Sequence, residues 1–165
     1  MNEPEQTRSR FGWAWLALAL ALALHVTDEA LTGFLSVYNP AVRTIRAHVP
    51  FLPLPVFTFG VWLAGLIAGI CLLLALAAPA FRGARWSALA AYPLGILMFM
   101  NGLGHFAGSV YMRRPMPGVY SAPLLLVTST YLVLTARRLR ASRDPRAESA
   151  RAQIKPPLRR SPNTG

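Results

Sequence analysis

The sequence predicts an all-α protein, a bundle of four transmembrane helices with both termini cytoplasmic. Three observations carry this expectation. Hydrophobic residues make up 54% of a chain of 165, and its mean hydropathy is positive. The apolar residues gather into four runs near the length of about 20 residues that a helix needs to cross a bilayer core. Basic residues lie between and beyond these runs. A net charge of +11 would suit a nucleic-acid binder if the arginines formed a patch of their own. Here they flank the apolar runs, so the expected partner is membrane lipid and no nucleic acid.

Residues 1–10 read as a polar N-terminus, residues 11–136 as the membrane domain and residues 137–165 as a basic, Pro- and Ser-rich disordered tail. The first segment, 11–38, carries Trp13 and Trp15 near one end and Tyr38 at the other, as an aromatic belt would. The second, 55–78, holds the single cysteine, Cys71, read as a small packing residue. The third, 86–112, contains Pro93 and Gly95, a predicted kink. The fourth, 119–136, closes the bundle. Thirteen of the 17 basic residues fall in the N-terminus, the second loop and the tail, which places those regions inside. Arg8 and Arg10 ahead of an Ala/Leu run also fit a cleavable signal peptide, an alternative that would leave three segments.

The chemistry concentrates where charge is expensive. Four of the six acidic residues lie in the polar ends, leaving Asp28 and Glu29 inside the first apolar segment, where each carboxylate costs on the order of 3 kcal/mol on the insertion scale. His25, Asp28 and Glu29 stand at i, i+3 and i+4, on one helical face, with Thr32 and Ser36 continuing the stripe outward and Ala14, Leu18 and Ala21 inward. That pattern predicts an outward-facing polar pocket. The third segment carries Asn101 and His105 at i and i+4, with Gly104 and Gly108 expected to let another helix approach. Counted from their inner ends, His25 and Asn101 both lie about 21–23 Å along their helices, so the two faces are expected to meet.

At these residues the chain resembles a family of small integral membrane proteins named for an HxxEE motif, which also shows NxxxH and a Pro-Gly following an arginine. The matches are His25-Val-Thr-Asp28-Glu29, Asn101-Gly-Leu-Gly-His105 and Arg113-Arg-Pro-Met-Pro117-Gly118. Asp28 stands where the family shows its first glutamate, and Pro115 where a tyrosine often precedes the Pro-Gly. The resemblance implies a metal-binding or enzymatic site.

Two imidazoles and a carboxylate suit a divalent cation, zinc first and iron second, with coordination positions left open. In this reading His25, Glu29 and His105 are ligands. Asp28 is the general base toward a water activated by the ion, or exchanges roles with Glu29, and Asn101 orients a ligand or donates to a developing oxyanion. A metal-dependent hydrolase acting on a lipid or lipid-linked substrate is the leading expectation. The alternatives are a proton- or cation-coupled transporter using the same carboxylates, a hydrogen-bonded cluster that only fixes helix packing, and haem held between the histidines. Arg113 and Arg114 read as interfacial anchors or as a site for an anionic head group, and Tyr120 and Ser121 as belt and helix cap or as lining of the pocket mouth. Oligomeric state is left open.

Overall fold

Pro53 and Pro55 cannot donate a backbone hydrogen bond and push the residues before them out of the helical region. Residues 52–58 accordingly form no helix, and they divide the chain into two helical parts. The computed structural model describes residues 3–143, which form α1 (Glu3–Thr32), α2 (Leu35–His48), α3 (Phe59–Ala75), the short α4 (Ala77–Phe81), α5 (Arg85–Met112) and α6 (Ala122–Ala141). No strand occurs among the described residues. Most of the predicted tail, 144–165, lies outside them.

The all-α class is as predicted, and the third apolar segment matches α5 within a residue. Three helical stretches are long and apolar enough to cross a membrane: Glu5–Thr32, Phe59–Phe81 and Arg85–Met112. The fourth predicted segment forms α6, which does not reach that hydropathy because Thr128, Ser129, Thr130 and Thr135 interrupt its apolar residues and Arg137, Arg138 and Arg140 lengthen it.

The first segment, predicted as one run to Tyr38, instead ends at Thr32. Gly33 adopts φ +78°, and the Phe34 N–H donates to the Glu29 carbonyl at 2.9 Å. That bond is the six-to-one closure of a Schellman turn, for which a residue without Cβ is favoured. Phe34, Leu35, Val37 and Tyr38 kept the sequence window apolar across a turn that hydropathy does not register. The following helix α2 is amphipathic, burying Val42 while leaving Arg43 and Arg46 exposed. Asn39 ties it to the non-helical segment, accepting from Phe57 N at 3.1 Å and donating to Phe57 O at 2.9 Å.

Helix α6 runs antiparallel to α5 and α1 and packs against both, while α3 and α4 pack on the other side of α1. The core is filled along these seams by Phe11, Leu18, Leu125, Leu132 and Leu139, all at most 1% exposed. Buried hydroxyls on α6 stay satisfied by donating to carbonyls of the preceding turn: Thr128 to Leu124, Ser129 to Leu126 and Thr135 to Tyr131. Trp15, predicted for the interfacial belt, is buried. Its Nε1–H donates at 2.9 Å to Leu73 O, a carbonyl in the last turn of α3 that an ending helix leaves without an intrahelical partner. Cys71, predicted as packing, faces outward. Helix α3 is apolar around its whole circumference, yet Trp62 is its one buried residue, which suits lipid as its surroundings.

The close-approach glycines also differ from expectation. Gly104 has nothing within 4 Å of where a Cβ would stand, and Gly108 faces Met116 of the following loop. The helix contact falls instead on Gly95, against Val133 and the Ser129 carbonyl, and on Gly102, against Leu126 and the Ala122 carbonyl. These two are seven residues apart and share a face, whereas Gly104 is rotated about 200° from Gly102. Gly95→Ala should therefore lower the unfolding free energy in detergent by about 1–3 kcal/mol through overpacking. Gly104→Ala should leave it unchanged or raise it by about 0.5–1 kcal/mol. Denaturant titration of both variants against wild type reads the difference.

Candidate metal centre

Helix α1 delivers His25 and Glu29 on successive turns, α5 delivers Asn101 and His105 on successive turns, and the α5–α6 loop closes over them. The two polar faces meet as their matched depths predicted. His25 Nε2 and His105 Nε2 stand 3.1 Å apart. Glu29 Oε1 lies 3.2 Å from His105 Nε2 and 3.6 Å from His25 Nε2. Asn101 Oδ1 is 3.2 Å from His105 Nε2. His25, Glu29 and His105 are buried, at 0%, 5% and 2% exposure, so the site is enclosed where the polar stripe predicted an outward-facing pocket. The stripe is cut short by the Gly33 turn: Thr32 bonds back to Asp28 O and Ser36 to Gly33 O, both exposed.

The outer ring nitrogens determine what the inner ones offer. His105 Nδ1 is 2.6 Å from Pro117 O, an atom that only accepts, so Nδ1 carries a proton and donates it. His25 Nδ1 is 2.9 Å from Ser121 Oγ. The single Ser121 hydroxyl proton is directed to Asp28 Oδ2 at 2.8 Å, with Gly118 O at 3.2 Å as the other acceptor. His25 Nδ1 must therefore also be the donor. In the neutral imidazoles both Nε2 atoms then present lone pairs, and they point at each other, at a carboxylate oxygen and at an amide oxygen. With both imidazoles neutral no hydrogen lies between these four acceptors; a metal ion among them, or a proton on one Nε2 shared with Glu29, satisfies the set.

The donor set fits a metal ion. His25, Glu29 and His105 each offer one ligand atom, all within 4.8 Å of one another. Their separations of 3.1, 3.2 and 3.6 Å are close to the edge of about 3.3 Å that bonds of about 2.0–2.1 Å generate in a tetrahedron. Both imidazoles donate their remote N–H to an oxygen, the second contact that fixes the tautomer of a ligating histidine. Haem does not fit, because two Nε2 atoms in contact leave no space for a macrocycle between them.

Asp28, predicted as a base or fourth ligand, is not part of this trio. Its Oδ2 accepts from Ser121 N at 2.9 Å as well as from the hydroxyl, so it anchors the start of α6. Ser121, read from sequence as a helix cap or as lining of the pocket mouth, joins Asp28 to His25. A serine just after Pro-Gly was its one signal. Gly118 is the other loop element: at φ +87°, a Cβ there would lie 2.6 Å from His105 Cε1 and 2.9 Å from Glu29 Cγ. The absent side chain lets the loop backbone roof the site. Ser109 Oγ bonds Met116 N at 2.9 Å and His105 O at 2.7 Å, tying that roof to α5. Phe34, placed by the Gly33 turn, covers the His105 ring at a centroid distance of 5.7 Å. A cavity of about 100 Å³ beside Glu29 is lined by Gly33, Phe34, Phe59 and Trp62 among others. Arg113 and Arg114 are exposed, and Arg113 caps α5 in the left-handed region at φ 53°.

Fold and site together define a helical protein of membrane-spanning dimensions with a buried His–Glu–His cluster able to hold a metal ion. A family described as "Protein of unknown function with HXXEE motif" matches residues 15–133, and the chain belongs to that family. No curated protein and no solved structure matches it. The matched region contains all three motifs and every side chain of the cluster.

Ser121→Ala removes the acceptor that fixes His25. Metal affinity should fall by about 10–100-fold, as for other partners of ligating histidines, and stability by about 1–3 kcal/mol. Equilibrium dialysis and denaturant titration measure the two. Long-range ¹⁵N correlation spectra of the wild type should show His25 and His105 both protonated at Nδ1 and not at Nε2.

Proposed function

We propose that the protein is a metal-dependent membrane enzyme of hydrolase type, acting on a lipid or lipid-linked substrate at the end of the bundle that carries His25, Glu29 and His105. The convergence of two Nε2 lone pairs and a carboxylate, with both Nδ1 atoms committed elsewhere, carries this reading. Zinc suits two imidazoles and one carboxylate best, with iron second, and three protein ligands leave a coordination position open in the manner of catalytic sites. A divalent ion there would supply Lewis acidity and a lowered pKa for water.

The protein's own groups do the rest. Glu29 faces both the histidines and the aromatic-lined cavity, so it is the group placed to exchange a proton with a bound substrate. Asn101 lies beside His105 and orients what binds there. Asp28 acts through Ser121 as a positioning residue for His25, which reassigns it from the base that the motif spacing suggested. Phe34, Phe59 and Trp62 offer an apolar wall suited to an acyl or isoprenoid portion.

In the same reading α6 is the fourth crossing. It pairs along α5, its hydroxyls are satisfied internally, and its exposed side chains include Leu124, Val127 and Leu134. The end of the bundle carrying Arg8, Arg10, Arg82, Arg85, Arg137 and Arg138 is cytoplasmic by the positive-inside rule. The transporter alternative lacks a path: below His25, the seam is closed by Leu22, Ala21, Leu18, Ala14 and Phe11, all buried.

Metal analysis of purified protein tests the proposal. Wild type should carry close to one equivalent, and the His25→Ala, His105→Ala double variant should carry none. Equal metal in both, or none in wild type after growth with each candidate metal, would overturn it and leave a hydrogen-bonded cluster stabilised by a proton.

A further inference from the structure

At the opposite end of the bundle, three arginines line one cavity. It has a volume of about 250 Å³, lies between the start of α5 and the end of α6, and is lined by Arg85, Ala88, Leu89, Arg140 and Arg143. Two of the arginines are held in place by the protein. Arg143 Nη2 donates to Gly83 O in the turn before α5, and Arg140 lies over the Tyr92 ring, 5.6 Å from its centroid. A guanidinium has five N–H donors, so these contacts leave most of them without a partner among the described residues. No carboxylate pairs with Arg85, Arg140 or Arg143 among the described residues.

A second cavity, of about 220 Å³, continues along the same pair of helices and is lined by Gly95, Ile96, Phe99, Ser129, Thr130, Val133 and Leu134. Its surface is almost wholly apolar. Ala88 to Gly95, Leu89 to Ile96 and Arg140 to Val133 are steps of seven residues, which keep the same helical face and lie about 10.5 Å deeper.

We propose that the α5–α6 groove is a binding site for an anionic phospholipid, with the phosphate held by Arg85, Arg140 and Arg143 and one acyl chain lying in the apolar groove along Ile96 and Val133. Arginine forks match phosphate oxygens in paired hydrogen bonds, and basic pockets between membrane helices are suited to anionic head groups. A free phosphate would use the first cavity alone. The apolar groove in register below it selects a molecule with a charged end and a long chain. The site is separate from the metal centre and shares with the proposed function only the placement of α5 and α6 in a bilayer.

The test uses the full-length protein in detergent, titrated with dioleoylphosphatidylglycerol, dioleoylphosphatidylcholine and inorganic phosphate and followed by native mass spectrometry and thermal unfolding. Phosphatidylglycerol should bind about tenfold or more tightly than phosphatidylcholine. R85Q/R140Q should abolish that preference, whereas R43Q/R46Q, with the same charge change at the other end, should retain it. I96W, which fills the groove and leaves the arginines intact, should weaken phosphatidylglycerol binding without changing the response to phosphate. Equal affinity for the two lipids, equal loss in R43Q/R46Q, or displacement of the lipid by phosphate with I96W unaffected would each overturn the proposal. Bound metal, measured in the same samples, should be unchanged in every arginine variant, so failure here is distinguishable from failure of the metal site.

Discussion

The architecture turns on one constraint: Glu29 is 5% exposed on a helix whose neighbours are apolar, and two imidazoles meet its carboxylate there. A buried carboxylate is tolerated only when paired and fully coordinated. Pairing it with His25 is local, since one helix turn separates them. Pairing it with His105 requires α5 to lie beside α1 at matched depth, and holding both rings edge to face, with centroids 4.6 Å apart, requires each outer nitrogen to be fixed from elsewhere. The α5–α6 loop meets both demands with a backbone carbonyl from Pro117 and the hydroxyl of Ser121. Asp28, the second costly charge, is then used to hold that loop and the start of α6. The two adjacent carboxylates thus do different work: one faces the two imidazoles, the other secures the frame around them.

The remainder of the fold divides along the bundle axis. Below the site the seam is apolar and closed, with Phe11, Ala14, Leu18 and Leu132 essentially inaccessible. At the far end the chain gathers arginines from α1, α5 and α6, and Gly83, at φ +66°, lets Arg8 and Arg143 crowd the turn before α5. The ends therefore differ in chemistry: one offers lone pairs to a cation, the other offers cationic donors to an anion. The apolar length between them keeps the two from interacting, since no polar side chain links His25 to the arginine end along the buried face of α1.

Helix positions were readable from sequence wherever the signal was apolar length and period. The α5 boundaries, and the shared faces of His25 with Glu29 and of Asn101 with His105, follow from 3.6-residue geometry alone. Readings failed where a local backbone event carried no hydropathy. Gly33 ends α1 inside an apolar run, Trp15 turns inward to a carbonyl on α3, and the packing glycines are Gly95 and Gly102. Nothing in the composition distinguishes Gly102 from Gly104, because the difference is which way each faces once α6 has chosen its side.

The sequence by itself determined the all-α class, the long apolar helices, the clustering of arginines away from the site and the five polar residues that matter. Helical periodicity and the cost of charge in an apolar segment suffice for all of these. The sequence also named His25, Glu29 and His105 as the ligand trio; only the tertiary structure decided that Asp28 belongs to Ser121 and that Gly118 roofs the site. Those assignments depend on which atoms of α1 and of the α5–α6 loop, more than 90 residues apart, come within hydrogen-bonding distance. Residue order does not encode that contact; the packing of α6 against α1 and α5 does.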